Sequence, residues 1–477
     1  MKDPILLIFP KHSPFPHSVE IPLATFTLGN YLSKQGFEVI YFDERVEKKS
    51  VLKTYLKQEL LFVGLSCMTS YQITSAVRLA KLTRKYNKVV PLVFGGVHPS
   101  MLPEQTAESE LVDFVVFGEG EKTITELATA LNRNQDSFEN IKGLVWKNEG
   151  EIIKNEPREF MDYNEVPSPI NPETEKFLHN YFKRDEKITA RQPFIYISSR
   201  GCPNNCAFCY NHYYHKNKWR GRDINIIRKE LEQIKNLGVK NVFFSDDNMA
   251  GKLSHLEGIY NLTRELNLKW CGCITINLIN QELVKNLEES GCEYLLFGLE
   301  SASPKILKSI NKHTTNEQMK KGIDLLADSP IIPMYSFIFG FPNETEEDRK
   351  QTFDLIDYII EKDQKAEIQL QVYTPFPGTD LYKYALENGF KEPQKLEEWA
   401  DMVMDEVHVP WVNKKDRKLL RNLYVISVFA FRNKEFFKSK IFYIPHKIAL
   451  WRWKHKFFKF SYERLLYDIV KLLPWVN

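Results

Sequence analysis

Short apolar runs alternate with segments of helical periodicity along the first part of the chain. This pattern is typical of a parallel sheet covered by helices on both faces. It predicts helices at about residues 23–34 and 71–85, and a third helix from about Glu121. The predicted strands are residues 5–9, 37–42, 61–67, 89–94 and 114–117. We therefore expect a five-stranded, doubly wound α/β domain (flavodoxin-like or Rossmann-like), whose ligands bind at the carboxyl ends of its strands.

A polar, proline-bearing stretch at residues 148–192 predicts an interdomain linker. A second β/α series follows it, with predicted strands at residues 194–198, 241–244, 268–276, 294–297, 332–338 and 368–373. Six units are too few for a closed eight-stranded barrel, so we expect a partial (β/α)6 TIM-like barrel. The alternation ends at about Trp399. The predicted domains are residues 1–147, the linker 148–192, the barrel 193–398 and a mostly helical, basic and aromatic extension at 399–477.

Composition narrows the class of protein. The 477 residues are enough for two or three domains, which excludes a disulfide mini-protein. The net charge of +3 excludes a polycation that coats nucleic acid. The last 47 residues nevertheless carry 11 Lys or Arg against 3 Asp or Glu, together with 13 aromatic residues. Seven cysteines, an odd and sparse number, and a start without a secretory signal predict a reducing, cytoplasmic location.

Three cysteines, Cys202, Cys206 and Cys209, lie on one short loop directly after a predicted strand. Three thiolates so placed can hold a multi-iron cluster and leave one metal position without a protein ligand. A zinc site is the alternative, but structural zinc needs four ligands, commonly in paired C-x2-C spacing. The spacing therefore favours an iron–sulfur cluster. Cys271, Cys273 and Cys292 are predicted to be core residues.

The C-x3-C-x2-C spacing, with Phe208 before the third cysteine, resembles the radical S-adenosylmethionine (SAM) superfamily. The resemblance implies that the triplet binds a [4Fe–4S] cluster. It also implies that the open iron chelates SAM, which one electron cleaves to a 5′-deoxyadenosyl radical.

Four further segments, in order along the chain, carry the same resemblance. Asp246 and Asp247 stand where many members have Gly-Gly-Glu for the SAM amine, so one of the two is implied to accept from it. Glu300 and Ser301 are similar to the family's Gly-x-Glu-Ser, whose carboxylate faces SAM. Residues 339–345 and 373–379 look like the turns that line the adenosyl pocket.

A doubly wound domain ahead of such a barrel resembles the cobalamin-binding class of this superfamily. The residues implied to contact cobalamin are Ser66, Thr69, Gly95, Gly96, His98, Gly118 and Glu119. Glycines at strand ends permit close approach of a large planar ligand, and the hydroxyls suit the amides or the nucleotide tail of the corrin. His12 and His17 follow the first strand without the motif that ligates cobalt. Either histidine could still reach the metal, but the resemblance favours cobalamin bound without histidine. Fold alone would equally allow a flavin or no ligand.

The resemblance implies methyl transfer from cobalamin to an unactivated carbon as the first expectation. Oxidation or ring closure without methyl transfer is the alternative, and a non-catalytic cobalamin sensor is a third. The implied partners are a small-molecule or lipid-like substrate and an electron donor such as flavodoxin or ferredoxin. The C-terminal tail predicts either core helices or peripheral membrane contact, while nucleic acid is disfavoured because no RNA-binding module is present.

Overall fold

The computed structural model describes residues 3–12, 21–182, 193–431, 440–459 and 462–472. The chain divides into two compact units. The first comprises Met1–Ile195, Lys229–Leu237 and Glu392–Val403; the second comprises Tyr196–Arg228, Gly238–Lys391 and Met404–Asn477. Among the described helices, none is long and apolar enough to cross a membrane.

A single sheet forms the centre of the first unit. Its strands are β1 (Ile5–Phe9), β2 (Val39–Asp43), β3 (Phe62–Ser66), β4 (Leu92–Gly95), β5 (Phe114–Val116), β6 (Leu144–Asn148) and β7 (Glu151–Lys154). They lie in the order β2-β1-β3-β4-β5-β6-β7, and the pairs from β2 to β5 are parallel. Strands β1 and β3 are buried on nearly every residue, as expected when helices cover both faces. The five predicted strands are all present, and the doubly wound sheet is confirmed.

The helices of this unit are α1 (Leu23–Lys34), α2 (Lys49–Tyr55), α3 (Tyr71–Tyr86), α4 (Val97–Met101), α5 (Pro103–Glu108), α6 (Gly120–Asn132) and α7 (Pro172–Phe182). The three predicted helices agree with α1, α3 and α6 to within one residue. Helices α2, α4 and α5 were not predicted because five to seven residues are too few to display a helical period.

The hairpin of β6 and β7 is antiparallel and was not predicted. It closes through Glu149 and Gly150, both of which have positive φ (49° and 91°), as two-residue hairpin turns require. Strand β7 is an edge strand with no buried residue, so it lacks an apolar run. Both β7 and α7 lie within the stretch that its polar composition assigned to a linker.

A second sheet carries the later β/α series. Its strands are β8 (Phe194–Tyr196), β11 (Asn241–Phe244), β12 (Lys269–Cys273), β13 (Cys292–Glu300), β14 (Ile332–Phe339) and β15 (Glu367–Val372), and a separate pair is formed by β9 (Ser199–Arg200) and β10 (Arg220–Gly221). The order β8-β11-β12-β13-β14-β15 follows the sequence, and the pairs from β11 to β15 are parallel. This is the predicted partial (β/α)6 barrel.

The helices between these strands are α8 (Tyr210–Tyr214), α9 (Ile224–Asn236), α10 (Leu253–Leu266), α11 (Gln281–Glu289), α12 (Pro304–Ser309), α13 (Asn316–Ala327), α14 (Glu346–Lys362) and α15 (Asp380–Glu387). Short 3-10 helices occur at Tyr163–Glu165, Met249–Gly251, Ile276–Leu278 and Leu396–Asp401. The longer connections cross over between parallel strands, so the carboxyl ends of these strands collect at one edge of the sheet.

Three helices end the described chain: α16 (Lys414–Phe431), α17 (Lys440–Lys454) and α18 (Tyr462–Leu472). Helix α16 lies against β15, where the Leu370 amide donates to Ser427 Oγ at 3.4 Å. Trp453 and Phe458 are buried beneath these helices, whereas several large apolar residues face solvent. The exposed residues are Tyr443, Ile444, Trp451, Phe457, Tyr462 and Leu465. The described tail therefore supplies core side chains and also exposes several large apolar side chains.

Candidate active site

The cysteine loop follows β9 at the edge where the strands of the second sheet end. Gly201 opens it with a φ of +86°, and a Cβ there would lie 2.3 Å from the Lys218 carbonyl oxygen. Only glycine permits this approach. The Ala207 amide donates to the Ile310 carbonyl at 2.9 Å, and the Ala207 carbonyl accepts from the Leu381 amide at 3.0 Å. These bonds fix the middle of the loop that carries Cys202, Cys206 and Cys209.

The two aspartates after β11 have different surroundings. Asp246 is buried and accepts from the Ser198 amide at 2.7 Å, from Ser198 Oγ at 2.6 Å and from Ser199 Oγ at 2.5 Å. Burial raises the pKa of Asp246 to about 6, against the opposing effect of these donors. Asp247 accepts from the Gly201 amide at 2.8 Å and lies 3.6 Å from His215 Nε2, with 22% of its side chain exposed. Asp246 thus ties β8 to β11, while Asp247 faces the cysteine loop.

Glu300 ends β13 in the left-handed region, with a φ of +66°. Its Oε1 accepts from Lys312 Nζ at 3.2 Å, and both side chains are mostly buried. A Cβ at Gly298 would lie 2.3 Å from that oxygen, so the missing side chain makes room for the carboxylate. Ser301 Oγ instead lies 3.2 Å from Thr352 Oγ1 and accepts from the Ser303 amide at 3.1 Å.

Aromatic rings continue from the cysteine loop to the turns after β14 and β15. The ring of Phe208 lies 5.7 Å from that of Phe341, which lies 5.5 Å from Tyr373. Tyr373 in turn stacks on Trp411 at 6.1 Å. Gly340 has a φ of +88°, as the turn after β14 requires. The two turns predicted to line a nucleoside pocket therefore present rings next to Phe208.

Glycines line the carboxyl edge of the first sheet, at Gly95, Gly96 and Gly118. Gly96 has a φ of +99°, and a Cβ there would lie 2.7 Å from the Cys67 carbonyl oxygen and 2.9 Å from Ser66 Oγ. A Cβ at Gly118 would meet nothing within 4 Å, so the space next to it is open. Glu119 follows directly, at the N-cap of α6.

Thr69 and His98 contact each other at this edge. Thr69 Oγ1 lies 3.0 Å from His98 Nδ1, and the imidazole is fully buried beside Trp399, 5.4 Å between ring centroids. Burial lowers the pKa of His98 to about 3. His98 Nε2 has no hydrogen-bond partner within the described residues. The ring is therefore neutral at physiological pH, and its placement leaves one buried nitrogen unsatisfied.

Comparisons with known proteins identify the family of the chain. Residues 196–356 match the radical SAM superfamily and residues 17–128 match the B12 binding domain. An uncharacterised methyltransferase of Pyrococcus horikoshii is 31% identical over 376 residues, which are 76% of this chain and 77% of that protein. The chain belongs to the radical SAM superfamily, in the class with a B12-binding domain.

Other relatives of this radical SAM protein carry two kinds of name. Bacteriochlorophyllide d C-12(1)-methyltransferase of Chlorobaculum tepidum is 27% identical, covering 77% of this chain and 74% of its own. Anaerobic magnesium-protoporphyrin IX monomethyl ester cyclase of Rubrivivax gelatinosus is 25% identical, covering 94% of this chain and 80% of its own.

Two solved structures share the fold. The methyltransferase TsrM of Kitasatospora setae, with cobalamin and a [4Fe–4S] cluster bound, has a TM-score of 0.67 and 20% identity over 82% of this chain and 76% of its own. The cobalamin-dependent enzyme OxsB, with aqua-cobalamin and SAM bound, has a TM-score of 0.74 and 19% identity over 99% of this chain and 75% of its own.

The cofactors of the radical SAM protein are those of its class: a [4Fe–4S] cluster, SAM and cobalamin. The residues present fit them. The three loop cysteines are free thiols, and each thiol of such a triplet binds a different iron. In the described ranges, no three His, Cys, Asp or Glu side chains form a ligand set for a single metal ion. The space beside Gly118 is open, so the backbone at this edge of the first sheet is accessible to a ligand.

Burial also determines the protonation state of the loop thiols. It raises the pKa of Cys206, and it raises the pKa of Cys209 to about 12. Lys312 opposes this effect at Cys206. Without bound iron the two thiols therefore keep their protons, and cluster assembly must release them.

Two residues beside this site, Lys312 and Asn248, were not predicted, and a third, Cys273, was predicted to be a core residue but is only half-buried. Burial would lower the pKa of Lys312, but Glu300 and Cys206 outweigh burial and raise it, so the ammonium stays charged. Asn248 Nδ2 lies 3.6 Å from Cys202 Sγ. Cys273 interacts electrostatically with Lys312, Glu300 and Cys202, so it faces the site, while Cys271 and Cys292 are buried. The alternation of β12 could have indicated Cys273, and the position next to the aspartates could have indicated Asn248. No local pattern indicates Lys312.

Proposed function

We propose that this protein is a cobalamin-dependent radical SAM methyltransferase that methylates an unactivated carbon of a small or lipid-like molecule. The observation that carries the proposal is the 31% identity to the Pyrococcus methyltransferase across three quarters of both chains. The proposed domains are 1–147 for cobalamin, 148–192 as connection, 193–398 as the radical SAM barrel and 399–477 as the extension.

Cys202, Cys206 and Cys209 are the proposed cluster ligands. Asp247 is the proposed acceptor for the SAM ammonium, because it faces the loop, whereas three donors already occupy Asp246. Asp246 instead holds the strand ends that place the loop.

Glu300 faces SAM in this proposal, and Lys312 fixes the direction of its carboxylate. Phe208 supplies a ring at the nucleoside end of the pocket, beside Phe341. Ser301 acts by shaping the turn, since its hydroxyl binds Thr352 and the Ser303 amide. Polar residues thus hold the charged end of SAM and aromatic residues hold its base.

The first unit binds cobalamin in this proposal. Gly95, Gly96 and Gly118 let the ligand approach the strand ends, and Ser66 and Glu119 offer polar contacts beside them. Thr69 and His98 form a hydrogen-bonded pair next to these residues, and in this proposal the pair stabilises the edge of the sheet. When bound, the cofactors together supply a carbon-centred radical for hydrogen abstraction and a transferable methyl group.

Oxidative ring closure is the second candidate. It is favoured by one observation: the Rubrivivax cyclase aligns with 94% of this chain, including most of the C-terminal extension, while the two methyltransferase relatives align with 76% and 77%. The thiols, carboxylates and lysine at the edge of the second sheet favour an enzyme, whether methyltransferase or cyclase, over a non-catalytic cobalamin sensor.

The experiment is anaerobic reconstitution of the full chain with iron, sulfide and cobalamin, followed by incubation with SAM, cell extract and dithionite as the one-electron reductant. Mass spectrometry then compares extracts treated with the wild type and with Cys206→Ala. A product heavier by one CH2 unit, with methyl derived from SAM, supports methylation. A product lighter by two hydrogens supports the cyclase, and absence of 5′-deoxyadenosine in the wild-type reaction overturns both.

The proposed location is the reducing cytoplasm, where the seven free cysteines would persist, with flavodoxin or ferredoxin as electron donor. We also propose peripheral membrane contact through Ile444, Trp451 and Leu465, which are 64%, 54% and 65% exposed. Vesicle flotation of the triple serine variant at these positions tests it. Unchanged flotation relative to the wild type would contradict this contact.

A further inference from the structure

A groove in the second unit lies between α14, α16 and the turn after α17, and none of the proposed cofactor residues lines it. Its volume is about 630 Å³. Phe353, Leu419 and Phe458 form an apolar floor, and Phe458 is buried. The centroids of the Phe353 and Phe458 rings lie 5.8 Å apart, so the two rings pack against each other. A ligand with an apolar or aromatic portion fits such a floor.

The rim of the groove is strongly basic. Six cationic and two acidic side chains line it, so the lining carries a net charge of +4. The cations are Arg349, Lys350, Lys415, Lys418, Lys456 and Lys459. This charge is local, because the whole chain carries only +3.

Three of these cations have no acidic partner in the described part of the chain. Arg349 binds Asp416 at 3.1 Å, and Lys456 binds Asp357 at 2.7 Å. Lys350, Lys415 and Lys459 form no ion pair or side-chain hydrogen bond within the described residues. All three are exposed on the groove rim. Several positive charges on one concave surface create a positive electrostatic potential, which attracts an anion.

We propose that this groove binds a phosphate-bearing ligand whose other portion is apolar or aromatic. The phosphate lies among Lys350, Lys415 and Lys459, and the apolar portion lies on Phe353 and Phe458. Lysine serves here as a mobile point charge for phosphate. Two sources carry this chemistry: a free organophosphate and a phospholipid headgroup. The site is independent of the proposed methyl transfer, and its test needs no turnover of SAM.

The test is calorimetric titration of the full-length holoenzyme with inorganic pyrophosphate at low salt. The groove variant is Lys350→Gln/Lys415→Gln/Lys459→Gln. The matched control is Lys308→Gln/Lys321→Gln/Lys383→Gln, which removes the same charge from exposed lysines elsewhere in the second unit. We expect a roughly tenfold weaker affinity in the groove variant, as the loss of charge-assisted contacts implies, and under twofold in the control.

Vesicles of phosphatidylcholine, with and without phosphatidic acid, distinguish the sources. Flotation with phosphatidic acid that is lost in the groove variant and blocked by pyrophosphate supports the headgroup. Pyrophosphate binding without such flotation supports a free organophosphate. Absence of pyrophosphate binding by the wild type, or equal weakening in both variants, overturns the site. Lys415→Glu replaces the triple variant if circular dichroism shows that the latter is misfolded.

Discussion

The two sheets end in edges of opposite character. The first sheet presents Gly95, Gly96 and Gly118, and its buried histidine is neutral. The second presents two aspartates, a glutamate, a charged lysine and three thiols. Both sheets have parallel strands, and both place their loops at the carboxyl ends. The strand orders of the two sheets differ, but the chemical character of each edge is set by the side chains at its strand ends.

This contrast separates two ways of holding a cofactor. A glycine-lined edge recognises a large ligand by shape, since its backbone can approach the ligand closely. A charged edge recognises a small zwitterion and a metal cluster by ion pairs and thiolates, in an environment where burial strengthens each interaction. Substitutions at the first edge should change packing and cofactor access, while those at the second should change charge and coordination.

Removal of one thiol should have the largest effect. Cys206→Ala should abolish the iron–sulfur absorbance and all SAM cleavage, because one iron loses its ligand. Cys292→Ala is the control, since Cys292 is buried. Absorbance and 5′-deoxyadenosine formation are measured anaerobically on both. Retention of the cluster in the first variant, or its loss in the second alone, would disprove the assignment.

Breaking the Glu300–Lys312 ion pair should have the second-largest effect. Lys312→Met leaves a mostly buried carboxylate without its cation, which costs about 4 kcal/mol of unfolding free energy. The double variant Lys312→Met/Glu300→Gln should recover most of this loss, because no unpaired charge remains. Denaturant unfolding of the second unit gives both values. If the double variant is no more stable than the single one, the unpaired charge of Glu300 is not the cause of the lost stability, and the ion pair does not stabilise this edge.

At the first edge, Gly96→Ala should cost about 3 kcal/mol, since it adds left-handed strain and a Cβ 2.7 Å from the Cys67 carbonyl oxygen. Gly118→Ala shares the positive φ but meets no atom, so it should cost only about 1 kcal/mol. Its effect should instead appear as weaker cobalamin binding, measured by absorbance titration. If the two variants are destabilised equally and their affinity for cobalamin is unchanged, the first edge does not recognise cobalamin by shape.

Periodicity was sufficient for the longer helices and for the strands of the parallel series in both sheets. The cluster-binding role of the cysteine triplet stays a prediction, made from the spacing within one short stretch of sequence. Periodicity could not predict β7, because an edge strand with both faces exposed has no apolar pattern. It also could not distinguish Asp246 from Asp247. Neighbouring carboxylates differ only through partners distant in sequence, and Ser198 lies 48 residues before Asp246. Lys312 was not predicted because its partner Glu300 lies 12 residues away, and the fold of the intervening chain brings the two side chains together.

The last prediction concerns the neutral histidine of the first edge. Its ordinary pKa of 6.5 applies to the unfolded chain, whereas burial lowers the pKa to about 3 in the fold. Between these values the unfolded chain binds a proton that the folded chain does not, so stability falls as the pH falls below about 6.5. At pH 5 the loss from His98 is about 2 kcal/mol relative to pH 7.5.

His98→Asn should therefore reduce the acid sensitivity of the first unit while lowering its stability at pH 7.5, where the Thr69 contact and the ring packing on Trp399 are lost. Urea unfolding at the two pH values measures both changes. His455→Asn is the control, because His455 is exposed and should leave the pH dependence intact. If His98→Asn keeps the wild-type difference between pH 7.5 and pH 5, the imidazole is not held neutral by burial, and the first edge carries a charge like the second.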